Sequence, residues 1–449
     1  MKNLRFFFLS LMIIVSASCT KDALLDPSGM LTDDSNPLKS SQAKLKIAVI
    51  SDLHYMSPSL MPADPENDYY FQMYLAQDPK LIAFGDLILR QAISELKMAK
   101  PDIVLIPGDL TKDGELLSHE AVIGLLQELL DLNVKVFVVP GNHDVNNPEA
   151  LNFSVSPPQP TTKISAADFA SIYGDFGYDD AIYRDENSLS YICQPTDKLW
   201  ILGIDACRYE ENENIAIVGG RIKPETMAWI QIKMAEAQAN DIQVLAMMHH
   251  GILQHYYGQE QLDPGYLLEN WPEMAAAFMQ MGIKLVFTGH YHANDISQIT
   301  VGKNTLSDIE TGSLVTPPSP YRMMILDDNF IKIESKRITK IDFPFPPGLN
   351  FVTYSNLFLK EHLDGYFGYG LTQEPYYLDP ATASYIAPFL SNGVIAHYAG
   401  DEKIKPDERK KVEALAAQIL PDGQMFIDAI NSFWTDLPIT DNKAHIKLK

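Results

Sequence analysis

The sequence predicts an α/β fold, and three observations carry that expectation. Short apolar runs of strand length recur between residues 45 and 289, and amphipathic stretches of helical length lie between them. Polar, ligand-capable residues follow the runs at their carboxyl ends. Such alternation is the pattern of buried strands covered by helices. With 449 residues, 46% of them hydrophobic, the chain can form one large domain plus an appendage.

The amino terminus reads differently from the rest. "MKNLRFFFLSLMIIVSASC" sets Lys2 and Arg5 before an apolar run from Phe6 to Val15, then small residues up to Cys19. That is the layout of a secretory signal peptide over residues 1–18. The run is too short to span a bilayer, which takes about 20 apolar residues. Ser16-Ala17-Ser18 before Cys19 resembles a bacterial lipobox, with Ser16 where an aliphatic residue is usual. The expectation is therefore membrane attachment through a lipidated Cys19, and an exported, periplasmic or outer-membrane lipoprotein. Residues 19–43, rich in Asp, Ser, Pro and Lys without periodicity, read as a flexible linker.

The main domain is expected over residues 44–337. "LKIAVIS" opens it, and "DIVLIP" (102–107), "VKVFVVP" (134–140), "IQVLAMM" (242–248) and "IKLVFTG" (283–289) repeat its design. Residues 115–131 turn Leu116, Leu117, Leu125, Leu126, Leu129 and Leu130 toward one side, as a helix would. "SLSYIC" and "LWILGID" read as a hairpin, and "SDIETGS", "YRMMIL" and "FIKIES" as later strands. Cys193 and Cys207 fall on the hairpin strands; they could pair in an oxidising compartment, and buried free thiols are the expected reading. From residue 338 the Pro-rich "IDFPFPPGLNF" leads into a mainly helical C-terminal subdomain that runs to residue 449. Its clearest helix is "DERKKVEALAAQIL", with Pro406 before it and Pro421-Asp422-Gly423 after it.

Charge narrows the function. A formal net charge of −23 leaves no basic excess for general nucleic-acid binding. It does not oppose a small phosphate ester, whose charge metal ions can screen locally. The strand ends point the same way. Asp52-Leu53-His54, Gly108-Asp109, Gly141-Asn142-His143-Asp144, His249-His250-Gly251 and Gly289-His290-Tyr291-His292 each follow an apolar run. Ligands in α/β sheets bind beyond the carboxyl ends of the strands, so all five groups are expected in one crevice. Histidines mixed with Asp and Asn suit Zn, Mn or Fe better than Mg or Ca. They are too many for one tetrahedral ion and suit two ions sharing a carboxylate. Gly108, Gly141 and Gly289 are read as sharp turns. A further Gly-Asp pair in "FGDL" (84–87) lies in a helical stretch, so Asp86 is set aside.

In that order, "DLH", "GDL", "GNHD", "MHHG" and "GHYH" resemble the calcineurin-like binuclear metallophosphoesterase superfamily, in a bacterial lipoprotein-type member. The resemblance covers residues 52–292 and implies a metallophosphoesterase-like β-sandwich flanked by helices. It implies two divalent or trivalent ions (Mn, Fe or Zn), one held by Asp52, His54, Asp109 and His292, the other by Asp109, Asn142, His249 and His290. Gly251 stands where the family has Pro, and His249 is taken as the ligand over His250. His143 would assist the leaving group, oriented by Asp144. The activity implied is hydrolysis of a small phosphate ester by a metal-bridged hydroxide attacking phosphorus in line. A phosphodiesterase is expected; a phosphomonoesterase of the same fold and a non-catalytic binding protein are the alternatives. The Tyr-rich insertion after the first motif is expected to wall the substrate pocket, with Tyr69, Tyr70 and Tyr74 either stacking on a base or sugar or packing in the core. Arg184, Arg208 and Arg221 could clamp phosphate, with surface pairing the expected fate of each, and His119, His255, His362 and His397 follow no motif.

Overall fold

A computed structural model describes residues 44–448 apart from 375, 401, 420–426, 429 and 430. The expected signal peptide, Cys19 and the linker lie outside the described residues. Among the described residues no helix is long and apolar enough to cross a membrane.

The first part of the chain builds β1 (Leu45–Val49), α1 (Tyr69–Leu75), α2 (Gly85–Ala99), β2 (Ile103–Ile106), α3 (Leu116–Leu130) and β3 (Lys135–Val138). A two-stranded ribbon of β4 (Leu151–Asn152) and β5 (Gln159–Pro160) follows, then α4 (Ala166–Ile172). Next come β6 (Tyr183–Arg184), β7 (Tyr191–Thr196), β8 (Leu199–Ile204), α5 (Pro224–Ala239) and β9 (Gln243–Met248). They are followed by α6 (Gln259–Leu262), α7 (Trp271–Gln280), β10 (Leu285–Thr288), β11 (Ile296–Val301) and β12 (Asn304–Glu310). The rest comprises β13 (Pro320–Leu326), β14 (Phe330–Arg337), α8 (Phe351–Leu371), α9 (Pro380–Ala399), α10 (Pro406–Ile419) and β15 (Lys443–Lys447).

These strands form two large sheets. One has the order β15-β14-β13-β1-β2-β3, the other β11-β12-β10-β9-β8-β7-β6. The pairs β1–β2 and β2–β3 are parallel in the first sheet, as are β8–β9, β9–β10 and β10–β12 in the second. Side chains alternate across a strand, and the alternation sorts the apolar residues of the second sheet. Leu199, Ile201, Leu245, Met247, Leu285 and Phe287 join the core shared with β1, β2 and β3. Their neighbours Trp200, Leu202, Ala246, Met248 and Val286 form a separate core with Ile230 and Met234 of α5 and Phe278 of α7. The result is a β-sandwich with helices outside it, as expected. On the helix expected over 115–131, Leu125, Leu126 and Leu129 are buried, but Leu117 is exposed. Cys193 and Cys207 are buried and free.

The stretch beyond residue 338 holds α8, α9 and α10. Asn350 and Asp379 cap α8 and α9 through backbone N–H groups of their first turns, and α9 stops at Gly400 in the left-handed conformation. Leu359, Leu363 and Phe367 of α8 and Ile386 and Leu390 of α9 share a core with Tyr256, Tyr291 and Ala293 of the sandwich. The chain then returns as β15, which pairs antiparallel with β14. The C-terminal stretch thus supplies an edge strand to the first sheet.

Candidate metal centre

Five motif loops leave the carboxyl ends of β1, β2, β3, β9 and β10. Three of these strands belong to one sheet and two to the other, so the loops meet across the sandwich instead of along a single sheet edge. Asp109 Oδ2 lies 3.5 Å from His54 Nε2 and 3.3 Å from His249 Nε2. His54 Nε2 is 3.0 Å from His292 Nε2, and Asp52 Oδ1 is 3.9 and 3.5 Å from those two nitrogens. Asn142 Oδ1 is 3.1 Å from His249 Nε2, and His290 groups with Asp109 and His249. All seven sequence-predicted ligands come together, with Asp109 between the two groups.

Second hydrogen bonds fix which nitrogen faces inward. His249 Nδ1 is 2.9 Å from Pro107 O, leaving Nε2 toward Asp109. His292 Nδ1 is 3.2 Å from Thr316 Oγ1, and His290 Nε2 is 3.2 Å from Gly265 O. His250 turns away: its Nε2 meets Val218 O at 2.9 Å and its ring covers Gly220. The geometry therefore favours His249 of the pair.

The donor set fits metal ions. Several of its contacts, at 3.3 to 3.9 Å, are at or beyond the range of good hydrogen bonds. They match the separation of two ligands that each sit about 2.0–2.2 Å from a common ion. Burial presses Asp109 toward neutrality, but His249, His143 and His54 outweigh it and hold the carboxyl well below the usual range. Burial lowers the His54 imidazole well below its ordinary value, assisted by Lys80. His249 is driven up to about 9 against burial, chiefly by the Asp109 charge.

The backbone is strained to make this arrangement. Asp52, His54, Asp109, His290 and His292 have φ of 50°, 36°, 48°, 78° and 67°. Such left-handed residues cost about 1–3 kcal/mol each when they are not glycine. Cross-loop bonds hold them: His54 N donates to Asp109 O at 2.9 Å, and His290 N donates to Asp52 Oδ1 at 3.1 Å. Gly108, at φ +97°, is a turn as expected. At Gly141 and Gly289 the need is room instead. A Cβ on Gly141 would lie 2.1 Å from Asp109 Oδ1, and one on Gly289 2.2 Å from Asp52 Oδ2.

His143 stands beside the ligands. Its backbone N–H donates to Asp109 Oδ1 at 3.0 Å, and its ring lies edge-on to His54. Its side chain is 22% exposed, against 1% or less for His54, Asp109 and His249. It is therefore the most open group of this set to an incoming molecule, followed by His292 at 12%.

The orienting residue expected from sequence is corrected. Asp144 does not touch the His143 ring; its carboxylate accepts from the backbone of Gly141, Leu110 and Thr111 and from Thr111 Oγ1. It clamps the loops after β2 and β3 together. The partner of His143 Nδ1 is Asp113 Oδ1, at 3.0 Å. Asp113 is itself held by Lys112 Nζ at 3.1 Å and by Tyr74 Oη at 2.8 Å. Of the three insertion tyrosines, Tyr74 thus reaches the site through Asp113, while Tyr69 and Tyr70 are exposed. Asp86 lies in α2 and accepts from Tyr55 Oη at 2.8 Å, next to the first motif. Arg208 and Arg221 pair with Glu211 and Glu269, and Arg184 lies over the Tyr178 ring. His119 is a core residue bonded to Tyr173 Oη and Asp144 O.

A family model, the calcineurin-like phosphoesterases, matches residues 45–294. A probable cyclic nucleotide phosphodiesterase of Vesicomyosocius okutanii subsp. Calyptogena okutanii (strain HA) is 38% identical over 66 residues. That stretch is 15% of this chain, and the chain spans about a quarter (27%) of the length of that curated relative. Among solved structures, a dimetal phosphatase from Danio rerio superposes with a TM-score of 0.45 at 15% identity, over 65% of this chain and 96% of that one. A purple acid phosphatase from yellow lupin (Lupinus luteus) seeds gives 0.41 at 13% identity, over 66% of this chain and 52% of that one.

Proposed function

Since the chain belongs to the calcineurin-like phosphoesterase family, and is thereby a hydrolase of phosphoric esters, we propose that it cleaves phosphodiesters at a two-metal centre. Asp52, His54, Asp109 and His292 would hold one ion, and Asp109, Asn142, His249 and His290 the other. The observation that carries this reading is the position of Asp109 Oδ2, within 3.5 Å of ring nitrogens from both groups. Two bound ions there supply a water of lowered pKa and positive charge against the phosphoryl oxygens.

The protein's own groups do the rest. His143, the most open of these residues, faces the substrate and gives a proton to the departing oxygen. Asp113, bonded to His143 Nδ1 at 3.0 Å, favours the protonated ring. Asp113 acts as a positioning residue by fixing Nδ1, so that Nε2 is the nitrogen presented. Asp144 keeps Gly141 and Thr111, and with them Asp109 and Asn142, in register. The diester preference is supported by the stretch shared with a relative named as a cyclic nucleotide phosphodiesterase. The leader-like pattern before Cys19 supports placing this activity at the cell envelope.

The test pairs metal analysis with matched nitrophenyl diester and monoester substrates. The wild-type chain should bind metal and turn over the diester faster. Asp109→Ala should lose metal and at least about a thousandfold in kcat/KM, as expected when charge stabilisation is removed from a reacting centre. An Asp109→Ala protein with full metal content and turnover would overturn the site. A wild-type preference for the monoester would overturn the diester assignment alone.

A further inference from the structure

A second group of buried charges lies outside the centre described above. It gathers residues from three segments: Asp295, just before β11; His397 and Glu402, at and beyond the end of α9; and Asp436 and Asp441, on the approach to β15. Ligand atoms of Asp295, His397 and Glu402 lie within 4.8 Å of one another, and so do those of Glu402, Asp436 and Asp441. Glu402 is common to both. Asp295, His397, Glu402 and Asp441 are all buried.

Partners for these charges are missing where they are needed. Asp295 Oδ1 accepts from His255 Nδ1 at 2.6 Å, but its Oδ2, 4.0 Å from His397 Nδ1, is buried with no hydrogen-bond partner. Glu402 Oε2 and Asp436 Oδ1 are also buried without partners. His397 Nδ1 bonds to the other oxygen of Glu402. Arg322 is a nearby guanidinium, yet its N–H groups go to the backbone oxygens of Glu310, Asp441 and Asp295 and to Ser335 Oγ, with none to a carboxylate, and Arg337 donates to Ala399 O at 2.8 Å. His255 also faces Asp308 and Glu310, each at 3.3 Å, so its charge is shared among further acids. Lys403 is exposed.

Four carboxylates crowd together here, three of them buried and Asp436 at a half-buried rim, and like charges so close repel unless a counter-charge lies between them. Burial and the charges of Asp295, Glu402 and Asp436 push Asp441 up to about 10, and burial, Glu402 and Asp295 raise Asp436 to about 6. A cation would satisfy the free oxygens and relieve the repulsion together.

We propose that Asp295, His397, Glu402, Asp436 and Asp441 form a third cation site, distinct from the binuclear centre, that takes one divalent ion. Its oxygen-dominated donor set with a single imidazole suits Mn²⁺ or Ca²⁺. The bound ion ties the end of α9 and the approach to β15 to the segment that follows His290 and His292. The C-terminal helices are thereby fastened to a loop of the catalytic centre.

The full chain, stripped with a chelator and reloaded with MnCl₂ or, separately, CaCl₂, tests this by counting ions per chain. Wild type should bind three Mn²⁺ ions and Glu402→Gln two, both folded by circular dichroism. Asp109→Asn, weakened at the binuclear centre, should still gain thermal stability with CaCl₂, and adding Glu402→Gln should abolish that gain. If Glu402→Gln does not fold, Asp436→Asn, at the half-buried rim, replaces it. A wild-type count of no more than two in both arms, or counts unmoved by either variant, overturns the site and leaves shared protons to neutralise the cluster.

Discussion

His143 and Asp144 are adjacent in the chain and opposite in duty. One ring edge is open to substrate, while the next carboxylate is buried among backbone N–H groups. Adjacency in "GNHD" suggested a dyad, but successive side chains leaving a strand end diverge, and the dyad forms with Asp113 from another loop. Asp113→Asn should therefore keep the metal content and KM and lower kcat by about ten- to a hundredfold, the usual cost of losing an orienting partner. The loss should be large with an alkyl leaving group and small with nitrophenolate, which departs without a proton. Equal losses on both would show that Asp113 only supports the fold. Asp144→Asn should instead lower the melting temperature and the metal content together. The seven ligands were legible because each is tied to a strand end by its motif. Asp113 was not, because its role depends on Tyr74, from α1, fixing the loop from outside it. His255 was equally silent, since its partner Asp295 lies 40 residues away, and His397, although Glu402 is near in sequence, draws its other acidic neighbour Asp295 from a separate segment.

At the level of elements, apolar runs predicted the strands well because parallel strands buried on both faces have nothing polar to interrupt them. What such runs do not encode is which sheet a strand joins. That sorting comes from side-chain alternation across the sandwich, where Met247 and Met248 enter different cores. Glycines were similarly ambiguous. Gly108 turns the chain, whereas Gly141 gives way to Asp109, and sequence alone does not separate the two needs. Gly141→Ala should consequently be severe although alanine suits its backbone. The new Cβ would meet Asp109 N at 2.2 Å as well as Oδ1, and Asp109 N is backbone that cannot rotate aside. Metal content and activity should fall together. Gly124→Ala is the control: that exposed position in α3 has nothing within 4 Å of the added Cβ. It should gain about 0.5–1 kcal/mol from helix propensity. Two melting curves and a metal assay decide it. A tolerated Gly141→Ala would mean that the loops after β2 and β3 can separate without cost.

For the molecule as a whole, the C-terminal stretch is built into the sandwich at two places. Tyr291, between His290 and His292, packs in the core of α8 and α9 with Tyr256 and Phe433. The last strand then closes the first sheet, a connection hidden from sequence reading because "KAHIKLK" is short, charged and more than 100 residues beyond its partner β14. In β15 the alternation is functional: Ala444 and Ile446 turn toward the core, and Lys443 and Lys447 line the exposed edge, where lysines discourage pairing with another chain. Ending the chain after Asn442 keeps Asp441 but removes Ile446 and Leu448, both buried. Burial of two such side chains is worth about 1.5–3 kcal/mol each, and Ile331 and Ile333 of β14 would lose part of their cover. The shortened chain should thus be less stable by about 3–6 kcal/mol on that scale and melt several degrees lower. It should still bind metal at the binuclear centre, because β14 and β13 stand between the lost strand and β1. An unchanged melting temperature would show that β15 adds nothing to the sheet. Loss of binuclear metal at temperatures where the shortened chain stays folded would show that the sheet edge and the catalytic loops are coupled more tightly than the strand order implies.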